Sequence, residues 1–74
     1  MPEVKPEKYR NLIKKLRYLG FVFRRNTGGS HEIWWNAKTR KTCVVPHHKE
    51  IKSGTVKSIL KQINVNYDKF IKLK

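Results

Sequence analysis

Apolar residues recur at helical spacing in the first third of the chain. They fall at relative positions 0, +3, +4, +7 and +10, which are Tyr9, Leu12, Ile13, Leu16 and Leu19. This spacing places them along one side of an amphipathic helix. Pro6 suits an early helical position, and Gly20 suits the C′ position that ends a helix. The pattern therefore predicts a helix that ends near Leu19 and buries one side.

Three short segments after this helix are rich in aromatic and β-branched residues, which indicates strands at 21–25, 31–35 and 41–45. Residues 26–29 form a predicted turn and residues 36–40 a basic loop. Connections this short favour an antiparallel meander. Trp34 and Trp35 must point to opposite faces of their strand. One is expected in the core, and the other is available to stack on a base or on a protein partner.

A second helical pattern follows at Val56, Ile59, Leu60 and Ile63, with Ser53 as the expected N-cap. Residues 64–66 break it, and Tyr67, Phe70 and Ile71 indicate a short last helical turn. We therefore predict an α+β fold of order α-β-β-β-α, with the helices packed on one face of a three-stranded antiparallel sheet. Double-stranded RNA-binding domains share this order, but an analogy of fold leaves function open.

The chain of 74 residues is expected to form a single domain spanning 1–74, with a frayed segment at 1–6. Its 18 Lys and Arg against five Asp and Glu give a formal charge of +13. Self-repulsion of this size destabilises a small fold, so an anionic partner is expected: nucleic acid, an anionic membrane or an acidic protein. No apolar run approaches the ~20 residues of a spanning helix, and the N-terminus lacks a signal-peptide core. The membrane is disfavoured and a cytoplasmic protein expected.

Cys43 is the only cysteine, so no internal disulfide can form, and its apolar surroundings predict a small core residue. His47 and His48 are adjacent and would point to opposite faces of a strand. Together with His31 and Cys43 they show no recognisable spacing of zinc ligands. No metal and no other cofactor is therefore predicted.

His31 follows a glycine turn directly and is the first candidate for chemistry. An exposed histidine can act as a general base or acid near neutral pH. RNA supplies its own nucleophile, the 2′-hydroxyl, and Lys or Arg side chains can stabilise the phosphoryl oxygens without a metal. Gly28 and Gly29 would let a phosphate approach the backbone, while Ser30 would orient His31 or donate to the phosphate. On these residues alone, a surface histidine with no catalytic role remains the alternative.

The residues predicted to contact RNA are basic, small or polar and lie in the strand, turn and loop segments. They are Arg24, Arg25, Gly28, Gly29, Ser30, Lys38, Arg40, Lys41 and His48.

Six short motifs occur in one order along the chain: Leu19-Gly20-Phe21, Gly29-Ser30-His31, Val45-Pro46, Lys49-Glu50-Ile51, Gly54-Thr55-Val56 and Ile59-Leu60-Lys61-Gln62. In order and spacing they resemble the HicA family of bacterial and archaeal toxins. The resemblance implies a fold like that of double-stranded RNA-binding domains and the activity of a ribosome-independent mRNA interferase. It implies that the histidine of the Gly-Ser-His motif, here His31, is the catalytic residue.

The same resemblance implies a HicB-type antitoxin as partner, which covers the catalytic histidine and reaches operator DNA through its own DNA-binding part. Contact of this chain with DNA would then be only indirect. Since the chain is strongly basic, we expect an acidic antitoxin surface to close over His31, Arg24 and Arg25.

Two departures from the family pattern concern possible contacts. Only His47 and His48 stand between Pro46 and the Lys-Glu pair, where relatives often have a longer segment. His48 most resembles the histidine that follows the proline in relatives. Trp34 and Trp35 stand where relatives tend to have one aromatic and one basic residue.

A non-catalytic RNA-binding or adaptor module is the alternative function. A DNA-binding repressor is disfavoured, because no helix-turn-helix pattern is present.

Overall fold

The computed structural model describes residues 3–73 and contains eight helices and strands within that range. In chain order they are β1 (Glu7–Lys8), α1 (Tyr9–Tyr18), β2 (Val22–Asn26), β3 (His31–Asn36), β4 (Lys41–Pro46), β5 (Glu50–Ile51), α2 (Ser53–Ile63) and α3 (Tyr67–Ile71). The predicted α-β-β-β-α order is confirmed. The short pair β1 and β5 was not predicted, because two residues are too few to show an alternating pattern.

The main sheet has the order β2-β3-β4, with antiparallel neighbours, as the short connections predict. Alternate residues of β3 point to opposite faces. Glu32, Trp34 and Asn36 are buried on the helix-facing side, whereas His31 is exposed and Trp35 half-buried on the other side. The structure thus assigns Trp34, and not Trp35, to the core.

The core lies between this face of the sheet and the helices. Its buried apolar members come from both predicted helical patterns, from the strands and from the last short helix: Leu12, Ile13, Leu16, Phe21, Trp34, Cys43, Val45, Ile51, Val56, Ile59, Leu60, Ile63 and Phe70. Cys43 is therefore the small core residue that the sequence predicts. Its burial raises the pKa of the thiol to about 12, which keeps it protonated at neutral pH.

The start of each long helix differs from the sequence prediction. Helix α1 begins at Tyr9 with Lys8 as its extended N-cap, so Pro6 lies outside the helix, before the short strand β1. The backbone N–H of Tyr9 donates to the carbonyl oxygen of Lys49 (3.0 Å), which ties this helix start to the segment before β5. In α2 the N-cap is Lys52, and Ser53 is the first helical residue; the predicted Ser53 cap is wrong.

The end of α1 agrees with the prediction. Gly20 follows α1 with φ of +100°, a left-handed conformation that suits glycine.

At residues 3–6 there is no regular element, yet Val4 packs against the core and the Lys5 N–H donates to the Tyr67 hydroxyl (3.2 Å). Met1 and Pro2, which belong to the segment predicted to fray, lie outside the described residues.

Candidate functional site

The turn that delivers His31 is built by two glycines in left-handed conformations. Gly28 has φ of +112° and Gly29 has φ of +59°. A Cβ atom on either would meet nothing within 4 Å, so the backbone conformation, and not a lack of space, favours glycine here. The turn is closed where the Thr27 N–H donates to the His31 carbonyl oxygen (3.1 Å). His31 is thereby fixed as the first residue of β3, beside an open stretch of backbone.

His31 shares the open face of the sheet with both predicted arginines. Arg25 is paired with Ile33, and residues paired across two strands project from the same face. The guanidinium carbon of Arg24 lies 5.1 Å from the centre of the Trp35 ring, a cation–π contact on the same face. The structure therefore brings Arg24, Arg25 and His31 to one surface.

The three other predicted cations lie elsewhere. Lys38 and Arg40 belong to the β3–β4 turn, and Lys41 is paired with Asn36, at the far end of the hairpin from His31. Asn36 lies five residues along β3 from His31, a span of about 17 Å. These three cations therefore lie well away from His31.

Ser30 connects the glycine turn to the segment that follows β4. Its carbonyl oxygen accepts from the backbone N–H of His47 (2.6 Å), and its hydroxyl hydrogen bonds with Nε2 of His48 (3.0 Å). From the sequence, Ser30 was expected to orient His31 or to donate to a phosphate. In the structure its hydroxyl contacts His48, which brings His48 beside the Gly-Ser-His motif.

Adjacent His47 takes the opposite side and contacts a buried carboxylate. Its Nδ1 lies 3.0 Å from Oε2 of Glu32, a residue only 6% exposed. Oε1 of Glu32 accepts from the Tyr9 hydroxyl (2.6 Å) and from the Trp34 indole N–H (3.0 Å). The His47 and Tyr9 rings are stacked, with centroids 4.1 Å apart and an interplanar angle of 10°. Glu32 thus holds α1, β3 and the loop after β4 together.

Burial raises the pKa of Tyr9 to about 12, and the hydrogen bond to Glu32 and the charge of Glu32 act in the same direction. This network was not predicted from the sequence. One signal was available: Glu32 is one of only five acidic residues in a very basic chain, at a strand position that shares its face with Trp34.

Across residues 3–73 no group of three or more His, Cys, Asp or Glu side chains could hold a metal ion. In the same range, no helix has the length and apolar character needed to cross a membrane.

Two helices cover a three-stranded antiparallel sheet, and a glycine turn presents an exposed histidine. This arrangement places the chain among small α+β proteins with a fold like that of double-stranded RNA-binding domains. Residues 9–65 match the family model described as the HicA toxin of bacterial toxin–antitoxin systems. The chain therefore belongs to the HicA toxin family. The match runs from the first residue of α1 to just beyond α2 and includes His31 and His48. No curated protein matches the chain.

Proposed function

We propose that this HicA toxin is a metal-independent, ribosome-independent endoribonuclease that cleaves single-stranded mRNA in the cytoplasm. The observation that carries the proposal is the placement of His31. It occupies the Gly-Ser-His position of the family, is exposed to solvent, and begins β3 on the face that also presents Arg24 and Arg25. This arrangement offers a proton acceptor beside cationic groups, which is what attack by a 2′-hydroxyl on a phosphodiester requires.

Each predicted residue has a definite role in this proposal. His31 takes the proton of the 2′-hydroxyl, and Arg24 and Arg25 bind the phosphate on the open face. Gly28, Gly29 and Ser30 leave backbone accessible to the same phosphate, since nothing lies within 4 Å of an added Cβ at either glycine. Lys38, Arg40 and Lys41 would bind RNA at a distance from the cleaved bond, and His48 would contact RNA close to it.

The experiment is RNA cleavage by the purified protein in EDTA, beside the His31→Ala variant. The variant should bind RNA with similar affinity and cleave it about 10²- to 10⁴-fold more slowly, because it has lost one proton-transfer group. Thermal unfolding of both proteins controls for folding. Binding without cleavage by the wild type would support a non-catalytic RNA-binding module instead. Equal cleavage by both proteins would exclude His31 as the catalytic residue.

We further propose that a HicB-type antitoxin inhibits the toxin by covering His31, Arg24 and Arg25. The chain carries a formal charge of +13, which favours an acidic partner surface and a fast association that weakens with salt. Arg24→Ala and Arg25→Ala together should slow association with the antitoxin more than Lys38→Ala and Arg40→Ala together, which remove the same charge at the far end of the hairpin. Equal effects of the two pairs would contradict this placement of the antitoxin.

A further inference from the structure

A groove runs along the outer edge of β4 and is closed on the other side by α2. It encloses about 450 Å³, and its lining includes His31, His48, Glu50, Lys52, Thr55 and Gln62. Helix α2 is fixed against the strand by the Gln62 side chain, whose Oε1 accepts from the Val44 backbone N–H (3.1 Å). The groove is therefore a feature of the packed fold, and two of its lining residues are histidines.

The two histidines reach this groove from different parts of the chain. His31 begins β3, and β4 is in register so that Pro46 lies opposite it. Two residues later His48 is held by the contact between its Nε2 and the Ser30 hydroxyl (3.0 Å), and its backbone N–H donates to the Pro46 carbonyl oxygen (2.9 Å). Since Ser30 precedes His31 directly, one short turn places His31 and holds the His48 ring at the same groove.

Cleavage of RNA by its own 2′-hydroxyl needs two proton transfers. A base removes the proton from the 2′-hydroxyl as the O2′–P bond forms. The P–O5′ bond breaks, and the leaving O5′ takes up a proton from an acid. The products are a 2′,3′-cyclic phosphate and a 5′-hydroxyl, and no further reactant is consumed. A single imidazole cannot be neutral for the first transfer and protonated for the second at the same moment, so a second group is needed for a concerted reaction.

Among the groups that line this groove, His48 best fits the second transfer. Imidazole can give up a proton near neutral pH and take it up again, which suits it to the second transfer better than the carboxylate and ammonium groups that also line the groove. His47 cannot substitute for its neighbour, because its ring is stacked on Tyr9 and its Nδ1 contacts Glu32, away from the groove.

We propose that His48 is the general acid of this ribonuclease, that it protonates the leaving 5′-oxygen while His31 acts as base, and that the Ser30 hydroxyl positions its ring. The inference rests on the proposed ribonuclease function. It assigns a second catalytic residue to the same site and predicts the chemical ends of the cleaved RNA.

The test uses a short single-stranded RNA that contains one site cut by the wild-type protein, and the same RNA with sulfur in place of the bridging 5′-oxygen at that site. A thiolate leaves without being protonated, so the sulfur substrate no longer needs an acid. His48→Ala should cleave the oxygen substrate about 10²- to 10⁴-fold more slowly than wild type and the sulfur substrate at nearly the wild-type rate. His31→Ala should be slow on both substrates, and His47→Gln should behave as wild type on both.

Several results would overturn the assignment. Equal losses on both substrates in His48→Ala would mean that His48 binds RNA but does not donate the proton. Rescue of His31→Ala by sulfur, with none for His48→Ala, would reverse the two roles. No loss in His48→Ala on either substrate would remove His48 from the chemistry and leave the proposed ribonuclease standing. Failure of the wild type to cut any RNA would overturn both proposals. If thermal unfolding shows that His48→Ala is not folded, His48→Asn, which keeps a polar group facing Ser30, takes its place.

Discussion

His47 and His48 have the same side chain and are neighbours in the chain, yet the fold uses them in different ways. His47 turns toward α1, where it stacks on Tyr9 and contacts the buried carboxylate of Glu32. His48 turns toward the groove, where it contacts Ser30 beside His31. The segment after β4 thus has one side that holds the fold together and one side that faces the proposed substrate.

A histidine near a candidate site therefore cannot be assigned a role by its type or its spacing. Its role follows from what it contacts: a buried acceptor with stacked neighbours in one case, and a groove open to solvent in the other. The fold-holding side, made of Tyr9, Glu32, Trp34 and His47, should control stability. The groove side, made of Ser30, His31 and His48, should control the rate of cleavage.

The largest stability effect is expected for Glu32→Ala. The substitution leaves the Tyr9 hydroxyl and the Trp34 indole N–H without their acceptor in a buried setting and removes the partner of His47. We expect the free energy of unfolding to fall by about 3 kcal/mol, which lowers the melting temperature of so small a domain by more than about 10 °C. Thermal or urea unfolding followed by circular dichroism measures the change.

Glu50→Ala is the matched control for Glu32→Ala. Glu50 is also a strand glutamate, but it is exposed, so its removal should change the free energy of unfolding by less than about 0.5 kcal/mol. Similar losses for the two variants would mean that loss of a negative charge from a basic chain, and not the buried network, sets the effect.

A smaller effect separates the two neighbouring histidines directly. His47→Gln loses the stack on Tyr9 and the contact with Glu32, and should lower the free energy of unfolding by about 1 kcal/mol. His48→Gln should keep the free energy of unfolding within about 0.5 kcal/mol of wild type, because the exposed His48 ring makes one hydrogen bond, to the Ser30 hydroxyl, which the glutamine amide can replace. Urea unfolding of the two variants gives the comparison. A larger loss for His48→Gln would show that the groove side also stabilises the fold.

The sequence predicted the parts of the molecule that depend on local patterns. Both long helices follow from regular apolar spacing, and the three strands of the main sheet follow from their aromatic and β-branched content. Short connections predicted the antiparallel order, and an apolar stretch predicted the burial of Cys43. Helix starts were harder to predict. The N-cap of α2 is Lys52, with no side-chain hydrogen bond to mark it, and α1 begins after a two-residue strand that pairs with a segment more than 40 residues away.

In the site, too, features set by neighbouring residues could be predicted from the sequence, whereas contacts between residues far apart in the chain could not. The glycine turn and the exposure of His31 are local properties and were predicted. The contact of Ser30 with His48 joins residues 18 positions apart and depends on the register of β3 against β4. The contact of Glu32 with Tyr9 joins residues 23 positions apart and depends on how α1 packs against β3. Asn36 is a further case. It was assigned to a basic loop, but it is buried, and its side-chain amide donates to the Leu19 carbonyl oxygen (3.0 Å) at the end of α1.

A last effect, no larger than that of His47, concerns Tyr9, and it changes with pH only above about pH 10. The pKa of this tyrosine is raised from 10.0 to about 12 in the folded protein, so folding favours the neutral phenol. Below pH 10 both folded and unfolded chains hold the proton, and the contribution to stability is complete. Between pH 10 and 12 the unfolded chain releases it first, so stability falls as the pH rises. Cys43 acts in the same direction from pH 9 to about 12.

Tyr9→Phe isolates the tyrosine, because Cys43 is present in both proteins. At pH 8 the wild type should be more stable by about 1 kcal/mol, the contribution of the hydrogen bond to Glu32. That advantage should shrink as the pH is raised from 10 toward 12, when urea unfolding is measured at each pH. Tyr18→Phe, at an exposed ring, controls for the loss of one phenol from the chain. A stability difference between wild type and Tyr9→Phe that stays constant across this range would show that the proton on Tyr9 does not contribute to holding α1 against β3.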